Sequence, residues 1–251
     1  MLYRKLLRDF RPPHDPQARI WRFMSFAKYI ALLEGEAVFF ARADTLGDHF
    51  EGSQSRKTVR ERERFRGIVE KNHGTLGGSE NARQLTFISC WHLNDRESEQ
   101  MWKLYSGGSE SECVAVQTRF NLLRAALEEG VPEDDERYWP YVGCVAYSDY
   151  ESDQFCDDWV TPYIHKRKNF EHEKEVRAII FLHRDRPPKA PSPEELRPGI
   201  SVPVKLNDLI EGIFTSPSAA SWFHELVRSV SEKFGLSAPV STSELTVPPV
   251  Y

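Results

Sequence analysis

The chain has 251 residues, 40% of them hydrophobic and 28% charged, and carries a formal net charge of −5. That is enough apolar material for a sizeable core, which excludes a disordered chain, and the acidic balance argues against a protein that coats nucleic acid non-specifically. No apolar run approaches membrane-spanning length, and "MLYRKLLRDFRPPHDP" lacks the apolar region of an export signal.

In chain order, residues 1–15 read as an arm that ends in Pro-rich turn signals, followed by one α+β domain over 16–251. "ARIWRFM" predicts a strand. "SFAKYIALLEGE" predicts a helix with Ser25 at its start and Gly35 as its stop. "AVFFARA" is a second strand, "DTLGDHFEGS" a tight loop, and "QSRKTVRERERFRGIVEKNHG" a charged helix exposed on one side. "QLTFISCWH" is a buried strand, and "NDRESEQMWKLYSGG" a helix started by Asn94 or Asp95 and closed by Gly107. "ECVAVQTRF" predicts a strand, "NLLRAALEEG" a helix and "YVGCVAYSDY" a strand. Residues 153–170 read as helical. "HRDRPPKAPSPEELRPG" is a surface loop, "ISVPV" and "IEGIFTS" are strands, and "PSAASWFHELVRSVSEKFG" is an amphipathic helix with Gly235 at its end. Strands and helices mix without a βαβ rhythm, so the expected class is α+β, with a central mixed or split sheet flanked by helices.

"FEHEKEVRAIIF" places Glu171, Glu173 and Glu175 at every second position ahead of a dry run. On a strand they share one face, where like charges repel unless a cation faces them. The cation is either internal, with "HKRKNF" just upstream as its source, or a metal ion or ligand. The plainer alternative is a solvated strand end with Arg177 in a surface ion pair. In "IWRFM", Arg22 stands between two aromatics on a strand, facing solvent or holding an anion such as a diphosphate through its fork of donors. Ser89, Cys90, Trp91 and His92 end a buried strand, with His92 orienting a ligand or capping the next turn. Met101, Trp102 and Tyr105 follow at helical spacing and read first as core. "RADTLGDHFEGS" crowds Asp44, Asp48, His49 and Glu51 around glycines. It is a turn held by its own carboxylates or a loop that approaches something closely. The cysteines Cys90, Cys113, Cys144 and Cys156 form no C-x-x-C pair. They read as reduced thiols of a cytoplasmic protein, and no metal site is expected.

Four segments together resemble the bacterial domain-of-unknown-function family numbered 2971: 20–53, "FISCWHLNDRESEQMWKLYS", "KRKNFEHEKEVRAIIF" and 209–236. That family supplies no function. The order of motifs is also similar to ADP-ribosyltransferases of the Arg-Ser-Glu class, which places Arg22 on the first core strand, Ser89 in the second motif and Glu173 and Glu175 in the Glu-x-Glu motif. "SCW" departs from the usual Ser-Thr-Ser. The resemblance implies an ADP-ribosyltransferase-like fold and NAD as the small-molecule nucleotide ligand. It implies Glu175 and Glu173 as catalytic carboxylates, with Arg22 and Ser89 holding the nucleotide; His92 and Tyr105 are further candidates for holding it. A carboxylate near the oxocarbenium-like cation formed when nicotinamide leaves would stabilise it. The acceptor stays open, nucleic acid included although net charge does not indicate it, and a bacterial defence or toxin system would suit such an activity. The alternatives are a non-catalytic ligand-sensing or interaction module with its carboxylates paired internally, and a metal-dependent nuclease using Glu173, Glu175 and Asp48.

Overall fold

The computed structural model describes residues 10–64, 80–105, 110–131, 138–156, 160–182, 192 and 196–247. Strand β1 (Arg19–Ser25) leads into helix α1 (Phe26–Gly35) and strand β2 (Ala37–Arg42). Helices α2 (Arg56–Arg64) and α3 (Glu80–Gln84) precede β3 (Thr86–Leu93), and α4 (Glu99–Tyr105), β4 (Cys113–Arg119) and α5 (Phe120–Glu129) follow. Next come β5 (Tyr141–Cys144), β6 (Ala146–Ser148), α6 (Thr161–Ile164), β7 (His165–Arg167) and β8 (Glu175–Phe181). The chain continues with β9 (Gly199–Pro203), α7 (Leu206–Leu209), β10 (Gly212–Thr215), α8 (Ser221–Lys233) and β11 (Val240–Thr242). Mixed sheet flanked by helices is the class the sequence predicts. None of the helices among the described residues is long and apolar enough to cross a membrane.

The chain divides into two compact units, one of Met1–Pro12, Phe40–Ser89 and Pro132–Ile200, the other of Pro13–Phe39, Cys90–Val131 and Ser201–Tyr251. In the first unit β8 lies between β3 and β5 in hydrogen-bonding order. The β5–β8 ladder is antiparallel, from Tyr141 opposite Ile179 to Cys144 opposite Val176. Every residue of β8 is buried, so both of its faces are dry and any charge on it needs an internal partner. β6 and β7 form a separate parallel pair, with Tyr147 opposite Lys166.

In the second unit β4 is central, with β1 antiparallel on one side along its whole length and β10 on the other. β11 adds to β10 in parallel, which makes the sheet mixed. Alternation on β1 sends Trp21 and Phe23 into a core with Met101, Trp102, Cys113 and Ala115. Helix α5 buries Phe120, Leu123, Ala126 and Leu127, the stripe expected of an amphipathic helix. The buried Glu97 ties the C-terminal segment down: it accepts from Trp102 Nε1 at 2.9 Å, from the backbone N–H of Glu244 at 2.8 Å and from the Ser243 hydroxyl.

Several local expectations change. Residues 160–170 hold only the short α6, then β7 and the start of a 3-10 helix over Lys168–Glu173, because the chain turns back to pair β7 with β6. Helix α1 ends not with a left-handed Gly35 but with Glu36, at φ 41°. Helix α4 starts later than Asn94, with the Ser98 hydroxyl accepting from the Met101 N–H at 3.4 Å. Met101 and Trp102 are core, whereas Tyr105 at the helix end is exposed. "YVGCVAYSDY" is broken at Val145, whose N–H turns to the Glu175 carbonyl at 2.9 Å. The closing Gly107, the second half of the charged helix and most of the Pro-rich loop lie outside the described residues.

Candidate functional site

The Glu-rich motif is not one continuous strand. Lys168–Glu173 forms a 3-10 helix, Lys174 takes the left-handed conformation at φ 40°, and the strand starts only at Glu175. Glu171 is therefore exposed, while Glu173 and Glu175 are buried. Glu171, Glu173 and Glu175 therefore do not share a strand face as expected, because left-handed Lys174 stands where alternation requires an extended residue. The carboxylates are nonetheless gathered. Lys166 Nζ donates to Glu173 Oε2 and, at 3.1 Å, to Glu175 Oε2. Burial disfavours the charge on Lys166, but the adjacent Glu175 and Glu173 outweigh it and raise its pKa. The Tyr147 hydroxyl accepts the Glu175 N–H at 2.7 Å and fixes the entry to the strand.

Two positions further along the same strand face, Arg177 has 1% of its surface exposed, so it is no surface ion pair. Its Nε donates to Glu175 Oε1 at 2.7 Å, and Nη2 donates to Glu175 Oε2 at 3.2 Å. The other edge of the guanidinium makes a two-pronged bond with Glu51, at 2.6 and 2.8 Å, and Nη1 reaches the Tyr163 carbonyl at 2.7 Å. Burial pushes the Glu51 carboxyl above its ordinary pKa, with Arg177 opposing. The loop that delivers Glu51 is built for close approach. Gly52 sits at φ 74°, and a Cβ there would lie 2.7 Å from the Tyr163 ring. Its carboxylates also play the plainer part, since Asp48 Oδ1 accepts the Phe50 N–H at 3.0 Å. Asp48 further takes a 3.0 Å bond from Arg167, whose guanidinium lies 4.0 Å from the Phe50 ring centroid. The Lys166 ammonium thus bridges both glutamates.

Glu173, Glu175 and Ser89 belong to the first unit; Arg22, His92 and Tyr105 belong to the second. Ser89 is fully buried in β3. In the second unit β1 and β3 share only two register pairs, Ile20 with Leu93 and Trp21 with His92, and Arg22 is the next residue on β1. Its guanidinium lies 5.5 Å from the Trp91 ring centroid, and Nη2 donates to the Phe39 carbonyl at 2.9 Å. Burial lowers the pKa of Arg22, with Cys90 and Tyr105 acting in the opposite direction. Among the described residues no carboxylate pairs with it. His92 is buried, with its ring edge-on to Phe23 at 6.3 Å.

The sequence named Lys166 and Glu51 without assigning them to Glu175 and Arg177, and it missed Tyr147 and Tyr163 altogether. The signal for Glu51 is the glycine after it, since a left-handed turn lets the preceding side chain reach inward.

No family model matches the chain, and no curated protein does. Among solved structures it is similar to Thermus sp. 2.9 DarT in complex with NAD+, at 10% identity and a TM-score of 0.44 over 94% of this chain and 100% of that one. It is similar, too, to the same protein in complex with ADP-ribosylated ssDNA, at 11% identity and a TM-score of 0.42 over 93% and 96% of the two chains.

Proposed function

We propose that this protein acts on NAD as an ADP-ribosyltransferase or NAD-cleaving enzyme, with Glu175 as the carboxylate that stabilises the ribosyl cation and Glu173 beside it. The observation that carries this reading is the gathering of Glu173 and Glu175, both buried, on one lysine at the head of β8. In the reaction the bond from the ribose C1′ to the nicotinamide nitrogen breaks, nicotinamide leaves with the electron pair, and the acceptor's nucleophilic atom takes its place. A fixed carboxylate stabilises the positive charge in between, and its neighbour receives the acceptor's proton. Arg22, which has no carboxylate partner among the described residues, is assigned the diphosphate, and Ser89, His92 and Tyr105 are assigned supporting roles toward the nucleotide. An enzyme that consumes NAD would suit a bacterial defence or toxin system.

The second reading, a non-catalytic ligand-sensing module, is favoured by one specific fact: Glu175 already has Arg177 and Lys166 as internal partners. The test that separates the two uses the wild-type protein, because a Glu175 variant also breaks a buried ion pair. NAD binding is followed by ligand-observed NMR at millimolar ligand, and nicotinamide release by chromatography. Protein, single-stranded nucleic acid and small-molecule acceptors are offered in parallel with labelled NAD. Release of nicotinamide supports the enzyme. Binding without release supports the sensor, and neither binding nor release removes NAD from the account.

A further inference from the structure

The proposed role of Glu175 leaves Arg177 unexplained, and its geometry is unusual for a residue that only balances charge. A guanidinium has five N–H donors. At Arg177 they meet five acceptors: two on Glu175, two on Glu51 and the Tyr163 carbonyl. Its hydrogen-bonding capacity is therefore spent inside the protein, so it is not itself a ligand-binding group. Because the fork is planar, the bond to Glu51 fixes the plane of the guanidinium, and the edge that faces Glu175 fixes the plane of its carboxylate. Glu51 is in turn placed by the loop that Gly52 lets approach Tyr163.

We propose that Arg177 and Glu51 are positioning residues, which hold the carboxylate of Glu175 in its productive orientation. The inference rests on the assignment of Glu175 as the reacting carboxylate. A salt bridge needs only opposite charge, whereas orientation needs the planar fork, so lysine at 177 separates the two roles. It keeps the charge and loses the geometry.

The experiment compares wild type, Arg177→Lys, Glu51→Gln and a control, Ile179→Ala, which damages the same buried strand away from the charges. For each, kcat and KM for nicotinamide release are measured well below its own melting temperature. The expected result is a fall in kcat of about 100-fold for Arg177→Lys, the scale of loss from a small misplacement of a reacting group. KM stays within about twofold in both charge variants, and the control keeps wild-type kcat per folded molecule. If the two charge variants lose activity only in proportion to unfolding, as the control does, Arg177 is structural and the inference is overturned while the enzyme reading stands. If wild type itself releases no nicotinamide, both fall.

Discussion

Two arginines, each on a strand, show how differently one side chain can be used. Arg177 is sealed in the first unit with carboxylates on both edges of its guanidinium. Arg22, in the second unit, has an aromatic face and, among the described residues, one backbone carbonyl. The first has bound carboxylate partners within the protein; for the second no carboxylate partner stands among the described residues. Burial alone does not mark a binding residue; what differs between the two arginines is how far the fold itself satisfies their donors.

The largest expected effect breaks this contrast at its stronger end. Arg177→Met leaves Glu51 and Glu175 buried without their shared cation and should cost about 3–5 kcal/mol of stability. The same change at Arg22 removes a cation that no carboxylate among the described residues holds and should stay within about 1 kcal/mol. Urea unfolding of the two variants side by side measures both, and equal losses would dissolve the distinction.

Ligand binding should give the reverse order. Loss of a charge-assisted bond to a phosphate is worth about 1.5–3 kcal/mol, so Arg22→Ala should weaken NAD binding by about 10- to 100-fold. Titration calorimetry at unchanged melting temperature would establish this. An unchanged affinity would return Arg22 to an ordinary strand residue.

A smaller effect comes from pH. Burial raises the pKa of Glu51 in the folded state above its unfolded value. The folded protein then binds more protons between those two values, so the contribution of Glu51 is fully present below the unfolded value and is lost as pH rises through the folded one. The melting temperature of wild type relative to Glu51→Gln should therefore be most favourable at the acidic end of a series from about pH 5 to about pH 8 and decline as pH rises. Lys166 has the opposite charge but the same sign of shift, since its pKa is raised by Glu175 and Glu173. What it contributes is retained through neutral pH and lost only in strong alkali. The smallest expected effect lies away from both arginines: Ser243→Ala removes one bond to the buried Glu97 and should cost about 1 kcal/mol in a thermal melt.

Much of the strand order was legible. "IWRFM", "FISCWH" and "VRAIIF" are short, apolar and rich in aromatic and β-branched residues, as strands are, and they became β1, β3 and β8. Helix ends were less legible. Gly35 looked like a stop because glycine accepts a left-handed conformation at little cost, yet Glu36 and Lys174 took that conformation instead, held by bonds to Leu33 and Glu171. Tyr105 shared a helical spacing with Met101 and Trp102, but the helix ends there and its last turn leaves the core.

By itself the sequence placed the long strands around Arg22, Ser89 and Val176 and crowded Glu173 and Glu175 near upstream cations, but it did not place the short β7 and β11 or the turn between the two glutamates. What it placed depends on neighbours within a few residues, where periodicity and propensity act. Only the tertiary structure decided which cation meets which carboxylate. Glu51 and Arg177 are 126 positions apart, and their pairing follows from a loop turning at Gly52 onto a buried strand. A buried charge takes the partner that the fold brings within bonding distance, and no local pattern encodes that distance.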